Sequence, residues 1–489
     1  MTLFGRDKAV NILQQFYQSN SAEFLALYGR RRVGKTYLIR QFFQKQSNCA
    51  FFNVTGTKNA PMKEQIKHFT DQLSNTFYNG IQLQPGRNWE EALNQLTHTI
   101  TNQVAADKSI VLFFDELPWM CTHRSRLLDL IDYYWNQHWS QDKRIKLIIC
   151  GSSASWIINK VIHHRGGLHN RITYQIHLQP FNLAQMQAFL QGRQINLNPE
   201  QLLQIYMVTG GIPFYLTKIQ PGLSASQVID SLAFSQTGFL FDEFDKLFSS
   251  LFDNSQDYIK AVRLLAQHRY GLGERQLLDK LGSHMLGGKG RRLLDDLEQT
   301  GFIMRFKPLY HKRKGIYYRI SDEYILFYLQ WIEPLKTTLA QQALQANYWQ
   351  SVQHTPAWNN WKGYAFEAVC YKHIAVIQKA LGLGPTAFPS TWRYVPQKDA
   401  SKQGAQIDLL FDRPDDAITI CEIKYTNQPF KLTKDYIDNL QQKINVFKTK
   451  TGTRKQIFIV LISANGLKNN YYADDMISQI VTLHDLLED

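Results

Sequence analysis

Two groups of residues in this 489-residue chain have the types and spacing for chemistry. The first is Gly29-Arg30-Arg31-Arg32-Val33-Gly34-Lys35-Thr36, which fits the phosphate-cradling pattern G-x-x-x-x-G-K-S/T. Its glycines let backbone N–H groups close around phosphate oxygens. A helix opening at Lys35-Thr36-Tyr37 points its positive end at the same anion. Lys35 would reach the β- and γ-phosphates of ATP, and the Thr36 hydroxyl would hold Mg²⁺. The second group is Glu367, Asp408, Glu422 and Lys424. Asp408 and Glu422 can bind Mg²⁺, with Glu367 nearby on a helix. Lys424 can position or deprotonate the attacking water or stabilise developing charge, which is chemistry that hydrolyses phosphodiesters.

Each group needs elements to position it. Residues 24–28 are a short apolar run, the expected buried strand before the loop, and residues 37–43 read as an amphipathic helix after it. Residues 50–54 read as a second strand. Residues 109–116 form an apolar strand ending in Asp115-Glu116, the Walker B pattern. Asp115 can bind Mg²⁺ through water, and Glu116 can orient and deprotonate the attacking water. Residues 146–153 are another apolar strand with a small polar tip. In a doubly wound sheet such tips meet at the ligand edge. Ser152 or Ser153 would then sense the γ-phosphate, or simply cap the next helix. Of the two arginines that follow, Arg165 and Arg171, the latter is the candidate arginine finger, within the chain or across a homo-oligomer interface. Gln179-Pro180-Phe181 closes this domain, and Gly210-Gly211-Ile212-Pro213 breaks the helical pattern that comes next.

Residues 257–318 read as helix, helix, helix, hairpin. Between Lys289 and Lys314 eight basic residues (Lys289, Arg291, Arg292, Arg305, Lys307, Lys312, Arg313, Lys314) face three acidic ones (Asp295, Asp296, Glu298), so 8 − 3 gives +5. A basic helix start with a basic hairpin tip is a footprint of DNA-backbone binding, although such a module can also serve only as packing between domains. Residues 322–335 are strongly apolar and are expected to form a buried docking helix, followed by a Gln/Ala-rich linker. Near the end, Asp408 lies on one strand of a hairpin and Glu422 and Lys424 on the other. Side chains alternate along a strand, so Glu422 and Lys424 share a face. Residues 438–443 on the next helix are candidates for substrate contacts.

Net charge is +14 with a pI near 9.3, which favours a polyanionic partner, nucleic acid before membrane. At 44% hydrophobic and 13% aromatic residues the chain can bury real cores. The five cysteines are scattered with no C-x-x-C, as in reduced core residues of a cytosolic protein. No signal peptide or membrane span is legible, so a cytoplasmic location without membrane partners is expected.

Together, Phe4-Gly5-Arg6, the Gly29–Thr36 loop, residues 113–116, 150–153, 179–181 and 210–213 resemble archaeal-type ATPases of the STAND branch of AAA-like proteins. The resemblance implies that Phe4, Gly5 and Arg6 lie against the adenine and that Pro213, in a helical lid, senses bound nucleotide. It also implies a winged helix and a C-terminal domain similar to PD-(D/E)xK nucleases, whose pattern Glu367, Asp408, Glu422 and Lys424 match. The usual Pro before the Asp is replaced by Ile407. The fold expected is α/β: a P-loop AAA-like core (1–180), a helical lid (181–250), a winged helix (251–335), a helical linker (336–360) and a restriction-endonuclease-like α/β domain (361–489). The function expected is an ATP-hydrolysing switch acting on DNA with a nucleotide-gated nuclease domain. The alternative is a signalling or scaffolding ATPase, or a DNA-binding regulator, whose last domain binds without cleaving.

Overall fold

A computed structural model describes residues 3–488 apart from 123, 164–166, 236, 310–314, 338–347, 354 and 397–403. Arg165, the hairpin tip with Lys312, Arg313 and Lys314, and most of the Gln/Ala-rich linker lie outside the described residues. The chain divides into two compact units, Met1–Pro180 and Phe181–Asp489.

The first unit is built on strands β1 (Glu23–Tyr28), β2 (Cys49–Thr55), β3 (Ser109–Asp115), β4 (Ile145–Gly151) and β5 (Tyr174–His177). They pair in parallel in the order β2-β3-β4-β1-β5. Parallel strands are covered on both faces, which is why β1, β3 and β4 read as unbroken apolar runs. Alternate residues Phe24, Phe52, Phe114 and Leu147 pack with Phe69, Trp89 and Trp135 from helices on one face. On the chain's other buried positions, Leu13 and Phe16 of the helix Asp7–Gln18 and Leu38 and Ile39 of the helix Lys35–Phe43 are fully enclosed. β4 lies between β1 and β3, so the segments following all three strands leave the sheet side by side at its C-terminal edge.

The second unit begins with helices Leu183–Gln191 and Pro199–Thr209, each N-capped by an asparagine side chain. Gly210 and Gly211 then take φ of +61° and +68°, and Pro213 opens the short helix Pro213–Leu216. A Cβ on Gly211 would lie 2.1 Å from the Phe181 carbonyl oxygen, so this turn requires glycine. Helices Ser255–Ala266, Glu274–Leu281 and Gly288–Gln299 follow, with an antiparallel sheet ordered β6 (Leu272–Gly273), β8 (Tyr317–Ile320), β7 (Ile303–Phe306). β6 has two residues, too few to carry a readable alternation. Tyr324, Ile325 and Phe327 in the apolar segment are fully buried. The chain ends in a sheet ordered β13 (Gln479–Thr482), β12 (Gln456–Ser463), β11 (Ala417–Lys424), β10 (Ala405–Asp412), β9 (Phe388–Tyr394). β9-β10-β11 are antiparallel and β11-β12-β13 parallel.

His373 ties this unit together. Its Nε2 accepts from the Leu183 N–H at 3.0 Å, and its Nδ1 lies 2.8 Å from the Val369 carbonyl. Burial pulls its pKa down to about 4, so the ring stays neutral when folded. The unfolded side chain titrates near ~6.5. This group's stabilisation is therefore complete above ~6.5 and is lost as pH falls toward its folded value, by up to ~3 kcal/mol. Urea unfolding of wild type and His373→Gln across this window should show the steeper pH dependence in wild type. Equal slopes would contradict the assignment.

Candidate functional site

Gly29 has φ +147°, and a Cβ there would lie 2.3 Å from the Leu178 carbonyl oxygen, so the loop passes that strand end only as glycine. Gly34, at φ +92°, precedes the first helical residue of Lys35–Phe43. Lys35 is buried and its Nζ donates to the Gly29 (2.9 Å) and Arg30 (3.1 Å) carbonyls of its own loop. The ammonium is thus held at the loop by backbone oxygens rather than by a carboxylate. Val33 and Arg30 are buried, Arg31 and Arg32 half-buried, and Tyr37 is exposed on the first turn.

The register of the sheet brings the Walker B pair to this loop. Thr36 Oγ1 donates to Asp115 Oδ2 at 2.7 Å, and Asp115 is buried. Glu116 takes φ +49°, and its N–H donates to Asp115 Oδ1 at 3.1 Å. At the tip of β4, Ser152 donates its N–H to Glu116 Oε2 at 2.9 Å and its hydroxyl to Oε1. Ser152 therefore fixes the carboxylate of the candidate base. Arg6, next to Gly5 (φ +65°), donates to the Gln179 and Val33 carbonyls, both at 2.8 Å, and lashes Phe4-Gly5-Arg6 to the loop. Burial lowers its pKa to about 10. His177 stacks on Tyr28 at 4.8 Å; burial first, then the Lys35 charge, lowers its pKa.

Helix N-terminus, loop N–H groups and Lys35 suit a polyphosphate, and the hydroxyl of Thr36 with the carboxylate of Asp115 is a hard-oxygen pair of the kind Mg²⁺ takes. Arg171 does not join them. It is exposed, and two residues on Thr173 bonds to Phe24 at the start of β1. The phosphate loop leaves the other end of this six-residue strand, ~16 Å from Phe24. A finger acting within the chain is therefore corrected: a loop that precedes a parallel strand exits at the opposite edge of the sheet.

In the second unit, the β10–β11 register pairs Leu409 with Cys421, so Asp408 stands opposite Glu422. Glu422 and Lys424 share the face of Ile418 and Ile420, the face that packs on the helix Lys434–Thr451 through Phe447. From that helix Lys443 pairs with Glu422 Oε1, and Tyr436 donates to Oε2 at 2.9 Å. Lys424 Nζ lies 3.8 Å from Glu422. Asp408 accepts from Gln406 Nε2, beside a shift in the pairing of β10 with β9. Glu367 on the helix Pro356–Lys372 is paired with Arg269 at 2.5 Å. Burial, then the Asp408 charge, raises the Glu367 pKa to about 7 against Arg269 and Lys424. Burial, then Glu422, also raises that of the Tyr436 hydroxyl far above its ordinary range. Asp408 and Glu422 suit one divalent ion; among the described residues no three His, Cys, Asp or Glu side chains are grouped to hold one.

At the helix Gly288–Gln299, Lys289 pairs with Asp257 (3.0 Å) and Arg291 with Glu274 (3.2 Å), while Arg292 is exposed. The linear charge count overstates this patch, because its acids come from neighbouring helices. Lys443 lies within the 438–443 stretch expected to supply contacts; two further partners had weak sequence signals, Tyr436, seven residues before it on the same helix, and Arg269 in a Gly/Tyr turn.

Residues 3–219 match the family described as an ATPase domain predominantly from Archaea. The chain is 26% identical over 455 residues to an uncharacterised protein of Methanocaldococcus jannaschii, covering 90% of this chain and 91% of that one. A 42-residue stretch is 40% identical to an uncharacterised ATP-binding protein of the same organism, 9% of this chain and 71% of the other. Among solved structures, the Walker-type ATPase of Pyrococcus abyssi matches at TM-score 0.46 and 16% identity, over 67% of this chain and 96% of that one. The ORC2 protein of Aeropyrum pernix matches at 0.42 and 14%, over 69% and 94%. Residues 3–219 are thus similar to an archaeal-type ATPase domain, and they hold the parallel five-stranded sheet of an α/β fold. No described helix is long and apolar enough to cross a membrane.

Proposed function

We propose that this chain is an ATP-driven switch that acts on DNA and carries a metal-dependent nuclease-like site in its second unit. One observation carries the enzymatic half: Ser152 holds the Glu116 carboxylate by two hydrogen bonds at the edge where Lys35 and Thr36 stand. Glu116 takes a proton from water as its oxygen bonds to the γ-phosphorus, the β–γ bridging P–O bond breaks, and ADP and phosphate leave. Lys35 offsets charge on the phosphates. Mg²⁺, when bound, neutralises phosphate charge. Thr36 and Asp115 are the residues that would hold it.

In the second unit, Asp408 opposite Glu422, with Lys424 on the same face, supports phosphodiester hydrolysis. Asp408 and Glu422 would hold the divalent ion. Lys424 orients water toward phosphorus; as the water oxygen bonds to phosphorus the P–O ester bond breaks, and the proton the water loses to solvent is matched by one the leaving oxygen takes up from solvent. The helices Ser255–Ala266, Glu274–Leu281 and Gly288–Gln299 with β6-β8-β7 support a winged helix. Pro213, at the Gly210-Gly211 turn, is the proposed nucleotide sensor of a helical lid. Arg171 is left only a role across a homo-oligomer interface. DNA contacts are proposed through Arg292, Lys289 and Arg291, with Lys312, Arg313 and Lys314.

A second reading has its own support: Glu422 and Glu367 are already paired with Lys443 and Arg269, as suits a domain that binds without cleaving. Single- and double-stranded DNA incubated with Mg²⁺ or Mn²⁺, with and without ATP, separates the two. Cleavage that responds to ATP in wild type but not in Lys35→Ala supports the gated nuclease. No cleavage alongside intact ATP turnover supports the binding domain.

A further inference from the structure

A cavity of about 380 Å³ opens within the second unit beside the carboxylate cluster, and Glu367 and Asp408 stand in its wall. Its other walls come from the β6–β8 sheet region, the helix Pro356–Lys372 and β9. Two arginines in it sit over tyrosine rings, and one of them, Arg319, is also over the Phe306 ring at 4.7 Å. The Arg393 guanidinium sits 4.5 Å from the Tyr270 ring centre, and that of Arg319 sits 3.3 Å from the ring of Tyr371. Tyr270 and Arg393 are exposed, and Arg319 and Tyr371 are half-buried, so one stack lies nearer solvent than the other. Arg319 Nε is enclosed and has no hydrogen-bond partner among the described residues. Nothing in either catalytic proposal uses these four side chains.

We propose that this cavity takes one unpaired nucleotide of single-stranded DNA, the nucleotide next to the phosphodiester presented to Asp408 and Glu422. The inference rests on the nuclease-like reading of that cluster. Aromatic rings and guanidinium planes are the surfaces on which unstacked bases lie, and the base identity matters little to such stacking. The volume falls in the range of small-ligand sites, roughly 300–1,000 Å³, and holds a single nucleotide rather than a duplex. A paired base must therefore leave its stack to enter. Because the same cavity is walled by Glu367 and Asp408, a strand anchored there by its base brings its backbone to the carboxylates.

The test is equilibrium binding by fluorescence anisotropy, with the full chain in chelator so that no cleavage occurs. The probes are a labelled oligothymidylate of about twelve nucleotides and the same strand annealed to its complement. The variants are Tyr270→Ala and Arg393→Ala, both at exposed positions, with thermal melting compared to wild type. Wild type should prefer the single strand, and each variant should lose on the order of 5–100-fold of single-strand affinity with duplex affinity unchanged. Single-strand affinity equal to wild type in both variants overturns the proposal, as does a wild type without preference for the single strand. The same proteins assayed with Mn²⁺ keep the two readings apart. Affinity loss without any wild-type cleavage leaves the cavity standing and removes the nuclease. Cleavage with affinities unchanged does the reverse.

Discussion

Lys35→Ala protein should bind ATP on the order of 100-fold more weakly than wild type and lose its turnover. The side chain is buried at the loop, and its ammonium is held there by the Gly29 and Arg30 carbonyls. A charged hydrogen bond to phosphate in such a place contributes about 1.5–3 kcal/mol, and loss of one preorganised donor to developing charge costs ~10²–10³ in rate. Alanine removes the hydrogen bonds to the Gly29 and Arg30 carbonyls but keeps the helix start, and the positive φ of the loop is carried by Gly29 and Gly34 themselves. Folding should therefore be preserved and the deficit confined to nucleotide. Calorimetric titration with ATP·Mg²⁺ reads the affinity; a variant that binds as wild type does would remove Lys35 from the site.

Glu422→Gln should eliminate metal-dependent DNA cleavage and weaken Mn²⁺ binding, while ATP turnover is unchanged. Glu422 is buried, opposite Asp408, and meets Lys443, Tyr436 and Lys424. Glutamine keeps the shape and a hydrogen bond from Tyr436 but removes the charge a divalent ion requires. The fall in cleavage should be at least ~10²-fold. The pairing of Glu422 with Lys443 also makes the site competitive: the ion must outbid a lysine, so Lys443→Ala in the same assay should raise Mn²⁺ affinity. Cleavage that survives Glu422→Gln would point to a contaminant or another centre.

The nucleotide half was legible because its chemistry is local. Residues 29–36 carry their own pattern, and β1, β3 and β4 are buried on both faces, so they read as apolar runs. Ser152 and Ser153 are legible candidates from their place at a strand tip; the contact of Ser152 with Glu116 is not, because it depends on β4 pairing with β3, which spacing does not encode. The place of Arg171 is hidden for the same reason: nearness in sequence to β5 says nothing about which edge of the sheet it faces, and only the part of the expectation that puts it at the phosphate loop of its own chain is set aside. In the second unit the alternation along β11 placed Glu422 and Lys424 on one face, and the hairpin register aligned Asp408 with them. The cations that neutralise this cluster arrive from afar, Arg269 from 98 residues away and Lys443 from 21. Pairs at that separation leave no periodic trace.

The most direct test of the account is steady-state ATP hydrolysis by wild type and Glu116→Gln, with ATP binding measured on the same preparations. Ser152 fixes the Glu116 carboxylate at the edge shared with Lys35, and glutamine cannot take the proton from water. The account predicts Mg²⁺-dependent turnover in wild type and a fall of at least ~10²-fold in the variant, with ATP affinity kept. Turnover in Glu116→Gln equal to wild type would contradict it.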